Sequence, residues 1–313
     1  MPASSRDELL THLCTAAPAS EPYADPVESI DAWRARDAAI RARFADPIEH
    51  AIAAGFDADR LGWAFASGYR AAGRSLFGGP DDDRLAALCA TEDGGAHPRA
   101  IRTTLTDLVL DGTKSFVTLG TAAEVLFVVA TQGDDPASGR PRLRIARIDA
   151  AREGVRIEPM PPAPFVPEVP HARATFERVR VEPEELLPGD GYDRYLKPFR
   201  TVEDIYVHAA LVGWLVRVGR LSSWGDDVLE ELLALAVTMR ALARMSPTAP
   251  ETHVVLAGAL AASRRSVERL DWSRVEGDTR ARWERDRVLL GVAGKARAAR
   301  REAAWKRLRG PLP

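Results

Sequence analysis

The sequence predicts a multi-domain α+β chain in the order helices, strands, helices. Three observations carry this. Apolar residues recur at helical spacing up to about residue 88. β-favouring runs with frequent Gly and Pro replace them up to about residue 191, and the helical period then returns. At 313 residues the chain has room for two ordinary domains or three small ones. The expected division is a helical domain over 1–88, a β domain over 89–191 and a helical bundle over 192–313.

In the first part, Asp25-Pro26 reads as a helix start, with Asp25 as N-cap and Pro26 in the first helical position. Val27, Ile30, Trp33, Ile40 and Phe44 follow at mostly helical spacing. A second amphipathic stretch carries Leu61, Phe65, Tyr69, Ala72 and Leu76, and stops at Gly78-Gly79-Pro80. The middle part holds TTLTDLVL, EVLFVVAT, RLRIARI and ATFERVRV, rich in β-branched residues. Asp111-Gly112 is a turn signal between the first two strands, and QGDDPASGRPR has the composition of an exposed hairpin loop. Short strands without intervening helices predict an antiparallel sheet or small barrel. The last part reads as helices over 202–221, 226–245, 250–270 and 278–308, with breaks at Ser246-Pro247 and Trp272-Ser273. Helices joined by short loops predict a four-helix antiparallel bundle.

Charge and composition exclude several classes. With 43 Lys+Arg against 45 Asp+Glu the net charge is -2, so overall charge does not hold the chain to nucleic acid or membrane. Two cysteines, Cys14 and Cys89, make neither a disulfide framework nor a four-thiolate zinc site, and the six histidines are scattered, so no metal is expected. The N-terminal segment has acids and no apolar core, and no run approaches the ~20 residues of a membrane span. A cytoplasmic location is expected. Dinucleotide, phosphate-loop, hydrolase-elbow and zinc-protease motifs are missing.

The informative stretch is Leu88-Cys-Ala-Thr-Glu-Asp-Gly-Gly95, followed by Leu110-Asp-Gly-Thr-Lys-Ser-Phe-Val-Thr-Leu-Gly120, then EVLFVVAT and ARATFERVRVEPEELLPGDGY. In order and spacing it resembles the middle β domain of the acyl-CoA dehydrogenase family: a TE turn, a strand ending K-x-W/F-x-T, and a closing F-x-x-V-x-V strand. The helix, strand, helix order resembles that architecture too. The resemblance implies FAD, with Thr91, Phe116 and Thr118 against the flavin and its pyrophosphate. An aromatic face suits a flavin ring, and hydroxyls suit its edge. On residue type alone, Thr91–Gly94 also reads as a capped turn and Phe116 as a core strand residue. Where the family carries Gly-Ser after the turn, this chain has Ala96-His97, so His97 is the candidate substitute donor. The family's R-x-x-F-G motif is missing from the last part, and Arg74-Ser-Leu-Phe-Gly78 reads as a helix end.

Dehydrogenation next to a thioester needs a carboxylate to take the α-proton. Some relatives place it early in the first bundle helix, in an L-D-x-E-R-(x)9-G pattern. Here Glu203 stands ten positions before Gly213, with Asp204 where those relatives have Arg. Glu203 is therefore the candidate base; Glu203 and Asp204 also fit as first-turn acids facing the helix dipole. His208, Trp214 and Trp224 read as packing residues. The resemblance further implies an acyl-CoA or related thioester substrate, an electron-transfer flavoprotein or other acceptor, and a homo-oligomer, with a hetero-oligomer as variant. The alternative is a scaffold of this fold without flavin, serving as partner subunit or acyl-group binder. The basic final helix, with Leu289, Val292, Ala296, Ala299, Ala303 and Trp305 as an apolar stripe, gives a third reading as a nucleic-acid or acidic-protein binder.

Overall fold

The computed structural model describes residues 7–17, 26–78, 83–95 and 97–310; Asp25, Gly79-Pro80 and Ala96 lie outside them. The chain divides into two compact units. One comprises Met1–Ala72, Pro164–Val166 and Thr201–Pro313, the other Gly73–Ala163 and Pro167–Arg200.

The first unit is helical. Its N-terminal elements are α1 (Glu8–Thr15), α2 (Ile30–Arg43), α3 (Pro47–Asp57) and most of α4 (Leu61–Phe77). The expected start at Pro26 does not occur: α2 begins at Ile30 with Ser29 as N-cap. The reason lies in Val27, whose N–H donates to Asp59 and whose carbonyl accepts from Trp63 Nε1 at 2.8 Å. That backbone is committed elsewhere. The Asp-Pro start operates instead at Asp46-Pro47, where the Asp46 carboxylate accepts from Ile48 N at 3.0 Å and opens α3.

The helices after the strands belong to the same unit: most of α5 (Lys197–Leu221), then α6 (Asp226–Leu242), α7 (Pro250–Arg269), α8 (Gly277–Asp286) and α9 (Gly294–Arg309). Two glycines let α3 and α5 touch backbone to backbone. A Cβ on Gly213 would stand 2.1 Å from the Ile52 carbonyl oxygen, and one on Gly55 2.0 Å from that of Ala210. The Glu203-to-Gly213 interval thus ends on a residue with a packing duty of its own. Trp214, Trp283 and Trp272 stack in sequence, with Trp224 edge-on to Trp272, so the bundle tryptophans are core. The single helix expected over 278–308 is broken: α8 ends at Asp286, a 3-10 turn runs Arg287–Gly291, and Ala293 is left-handed at φ 61°. Asp286 is buried and accepts from Val166 N at 2.7 Å.

The second unit carries one sheet of β1 (Ala86–Cys89), β2 (Thr104–Thr106), β3 (Val109–Thr118), β4 (Val125–Asp134), β5 (Pro141–Asp149), β6 (Val155–Pro159) and β7 (His171–Arg180). The order is β1-β4-β2-β3-β7-β6, with β5 on the other edge of β4. The sheet is mixed where an antiparallel one was expected, because β1 pairs parallel with β4 over Val125–Val128. The hairpin between β2 and β3 turns at Asp107-Leu108, both at positive φ, and not at Asp111-Gly112. Gly112 lies inside β3 at a register shift, where a Cβ would meet Thr103 at 2.6 Å. Alternate residues of the strands, among them Leu126, Val128, Ala174 and Phe176, bury into one apolar cluster.

Candidate functional site

In the strand unit the candidate residues gather where β3 passes the turn after β1. Glu92 and Gly95 close that turn with two backbone bonds of 3.2 and 2.7 Å. The Glu92 carboxylate points inward and accepts from Arg102 N at 2.7 Å, Thr103 N at 3.0 Å and Lys114 Nζ at 2.7 Å. Lys114 is wholly buried. Burial pushes the Glu92 carboxyl up, but Lys114 and the two N–H donors outweigh it and hold it below the usual range. Glu92 of the TE turn and Lys114 of the K-x-F-x-T strand therefore make one internal ion pair that fixes turn to strand. Beside it Ser115 donates its N–H to the Thr91 carbonyl at 2.8 Å and its hydroxyl to Asp93 at 2.9 Å.

This pairing decides how Phe116 is presented. After Lys114 the register with β7 slips, and Phe116 takes a left-handed φ of 54°. Its N–H meets the Met160 sulfur at 3.2 Å and its ring is 61% exposed, so it is not a core strand residue. Thr118, half-buried, ends the strand opposite His171. Thr91, Phe116 and Thr118 thus occur along one turn and strand.

His97 sits apart from them. It is exposed and caps the 3-10 turn Pro98–Ala100, its Nδ1 accepting from Arg99 N at 3.3 Å. With Arg99, Arg102, Thr113 and Arg173 it lines an open cleft of about 580 Å³ whose walls do not include Thr91, Phe116 or Thr118. Three arginines there favour an anion: of the two acids in the lining, Glu92 is paired with Lys114, and Asp93 meets Arg173 alone among the arginines, at 3.4 Å. Cys89 is no nucleophile, since burial pushes its thiol up to about 12.

In the helical unit Glu203 is half-buried and lies in the second turn of α5, which begins at Lys197. The first-turn reading of Glu203 and Asp204 is therefore corrected: neither faces the free N–H groups of the helix start. Asp204 is instead tied to α9, its carboxylate accepting from Arg297 Nε at 2.9 Å and from Arg300 Nη2. Burial pushes the Asp204 carboxyl up against the pull of both guanidiniums. Glu203, Asp204 and His208 line a cavity of about 70 Å³ with Phe65, Leu211 and Leu290 among its apolar walls. Arg297 also donates to the carbonyls of Leu290 at 3.1 Å and Val292 at 2.5 Å, fastening the cavity's outer wall to α5.

Lys114, Arg297 and Arg300 were not among the residues singled out from the sequence. Lys114 had a signal: it shares the inward parity of Leu110 in the strand, and an ammonium turned inward needs a partner. Arg297 and Arg300 had none, being two arginines in a basic helix far from Asp204 in sequence. The expected apolar stripe of that helix is not buried, since Ala304 is the one buried residue of α9. Among the described residues no His, Cys, Asp or Glu cluster could hold a metal ion, and no helix is long and apolar enough to cross a membrane.

No family model matches the chain, and no curated protein is similar to it in sequence. Solved structures similar to it include PigA with FAD and proline, at 14% identity and a TM-score of 0.64 over 90% of each chain. Butyryl-CoA dehydrogenase from Megasphaera elsdenii is similar at 14% identity and a TM-score of 0.59, over 82% of this chain and 81% of that one. The prolyl acyl carrier protein oxidase AnaB is similar at 19% identity and a TM-score of 0.54, over 76% of this chain and 79% of that one. The architecture of this chain, with its strand unit between two helical stretches, is the acyl-CoA dehydrogenase fold.

Proposed function

We propose that the protein is a flavin-dependent oxidoreductase that removes hydrogen from a CH–CH group next to a thioester, an acyl-CoA or a carrier-bound acyl group. The observation that carries the reading is Phe116: a large aromatic ring, 61% exposed and left-handed, held out by a bulge beside the Glu92–Lys114 pair. A left-handed backbone at a bulky aromatic residue is a strain that tends to gather at ligand sites.

The residues fit FAD in kind. Phe116 offers an aromatic face, and Thr91 and Thr118 offer hydroxyls. His97, Arg99, Arg102 and Arg173 line a basic cleft suited to phosphate oxygens. Bound flavin would supply a hydride acceptor. Glu203 is the proposed base: its carboxylate takes the proton from the carbon next to the thioester carbonyl. That the similar structures include a butyryl-CoA dehydrogenase, an FAD complex of PigA and a prolyl carrier protein oxidase supports this choice of chemistry. Electrons would leave to an electron-transfer flavoprotein or another acceptor, and a homo-oligomer is the proposed assembly.

One observation favours the flavin-free scaffold: His97, the candidate substitute for the family's serine, already uses Nδ1 to cap its own turn. Visible absorption separates the two readings. Purified protein, incubated with FAD and desalted, is expected to keep a flavin spectrum, which Phe116→Ala weakens. Glu203→Gln should keep the spectrum and abolish bleaching by acyl thioesters. Colourless protein after reconstitution counts against the oxidoreductase, and bleaching by Glu203→Gln at the normal rate removes Glu203 from the mechanism.

A further inference from the structure

His208 lies five residues after Glu203 on α5 and lines the same cavity. It is 5% exposed. Its Nδ1 stands 2.8 Å from the Asp204 carbonyl oxygen, which can only accept, so Nδ1 carries the proton. In that tautomer Nε2 presents a lone pair, and His208 lines the cavity. Burial, with Arg297 and Arg264 nearby, drives the imidazole down to about 4, so the ring stays neutral at ordinary pH.

The cavity sets the size of what could meet it. Its volume of about 70 Å³ is roughly half of the ~150 Å³ that admits benzene, enough for three or four heavy atoms. Apart from Glu203, Asp204, His208 and Arg297 its walls are apolar. The Asp204 carboxylate is engaged by Arg297 and Arg300, and Arg297 also by two carbonyls. With the Glu203 carboxylate assigned to the α-proton under the proposed function, His208 Nε2 is the acceptor left for the guest's own donor.

We propose that this cavity binds a short apolar group bearing one O–H or N–H donor, and that His208 Nε2 selects it by accepting that hydrogen. The inference deepens the oxidoreductase reading and rests on it for the guest's meaning: the acyl part of the substrate carries a hydroxyl or an amine near its end. His208 is then a specificity-determining residue. Arg297 is a positioning residue that keeps the wall of Leu290 and Val292 closed.

Propan-2-ol and acetone test it, having four heavy atoms each, one with a donor and one without. Both are titrated into protein with ¹⁵N-labelled histidine at pH 7, following the His208 ring nitrogens. Propan-2-ol is expected to move the Nε2 resonance and leave Nδ1 in place. It should bind about fivefold tighter than acetone, the worth of one net hydrogen bond. His208→Leu should erase that preference. Leu211→Phe, which fills the cavity and keeps the histidine, should lose both ligands. Equal binding of the two, an unmoved Nε2, or a preference that survives in His208→Leu overturns the proposal. The titration needs no turnover and no flavin. Colourless protein that still prefers propan-2-ol therefore sinks the flavin reading alone, and flavin-retaining protein without the preference sinks this one.

Discussion

Glu92 in the strand unit and Asp204 in the helical unit are both buried carboxylates with cationic partners, but the partners come from different distances along the chain. Glu92 is met by two backbone N–H groups 10 and 11 residues away and by one cation, Lys114, 22 residues away. The cations of Asp204 are 93 and 96 residues away, on a helix with only Ala304 buried. The first network locks a turn to the strand beside it, inside an apolar cluster that would hold without it. The second supplies much of what keeps the C-terminal segment against α5, because α9 has little apolar surface to contribute. One carboxylate therefore builds a rigid ledge, the other a wall that can be loosened.

The largest expected effect tests the rigid side. Lys114→Ala leaves the Glu92 carboxylate buried with two N–H donors and no cation, and breaking one side of a buried pair costs about 3–5 kcal/mol. Denaturant unfolding should show that loss. Glu92→Leu combined with Lys114→Leu should recover part of it, since no charge is left stranded. A loss below about 1 kcal/mol for Lys114→Ala would mean that the pair does not hold the ledge.

Acid is the next lever, and it acts on the helical side. His208 is depressed to about 4 from an ordinary 6.5. The unfolded chain takes up this proton below pH 6.5 and the folded chain does not until about pH 4, so stability is full above that window and falls as pH drops through it. The loss at the bottom is of the order of 3 kcal/mol. His12 and His171, also depressed by burial, add to it. The test is therefore the difference between wild type and His208→Leu: as pH falls from 6.5 to 4, wild type should lose more stability than the variant. Asp204 and Glu203 could take the opposite charge, but Asp204 is already held by Arg297 and Arg300, and Arg264 adds to the repulsion.

A smaller effect separates wall from ledge directly. Arg297→Ala removes one cation from Asp204 and both bonds to the Leu290 and Val292 carbonyls. Arg300 still pairs with Asp204, so the carboxylate is not stranded and about 1–2 kcal/mol is expected. Hydrogen exchange should quicken over 289–300 and stay unchanged over 102–114. Raising salt on the wild type should reproduce this pattern weakly. Equal quickening in both segments would break the contrast.

The same contrast explains what could be read from the amino-acid sequence. The strand unit is legible because its anchors are local: TE, then K-x-F-x-T, within about one hairpin's length, point to the place where Thr91, Phe116 and Thr118 occur. Helix starts are less so. Asp25-Pro26 and Asp46-Pro47 look alike in sequence, and only the bonds of Val27 to Asp59 and Trp63 show why the second is a helix start. Asp111-Gly112 misleads because a glycine needed for close approach to Thr103 has the same signature as one needed for a turn. The Asp204–Arg297–Arg300 cluster could not be read at all. Two arginines on a basic helix carry no mark of a carboxylate more than 90 residues away.

The smallest effect in stability is the most informative about the ledge. Phe116 pays twice for its place: an exposed ring, and a left-handed backbone that costs an L-residue about 1–2 kcal/mol. Glycine removes that strain but gives the unfolded chain about 0.5–1 kcal/mol of extra entropy. Phe116→Gly is therefore expected to be neutral or stabilising by up to about 1 kcal/mol in thermal unfolding. The N–H contact with Met160 is kept, because glycine has the same backbone N–H. If the ring exists to cover a ligand, the same variant should release FAD faster than wild type after reconstitution. Destabilisation beyond about 1 kcal/mol would make Phe116 a structural residue after all. Unchanged stability together with unchanged flavin retention would leave the strained aromatic without a purpose at this ledge, and the case for flavin there would fall with it.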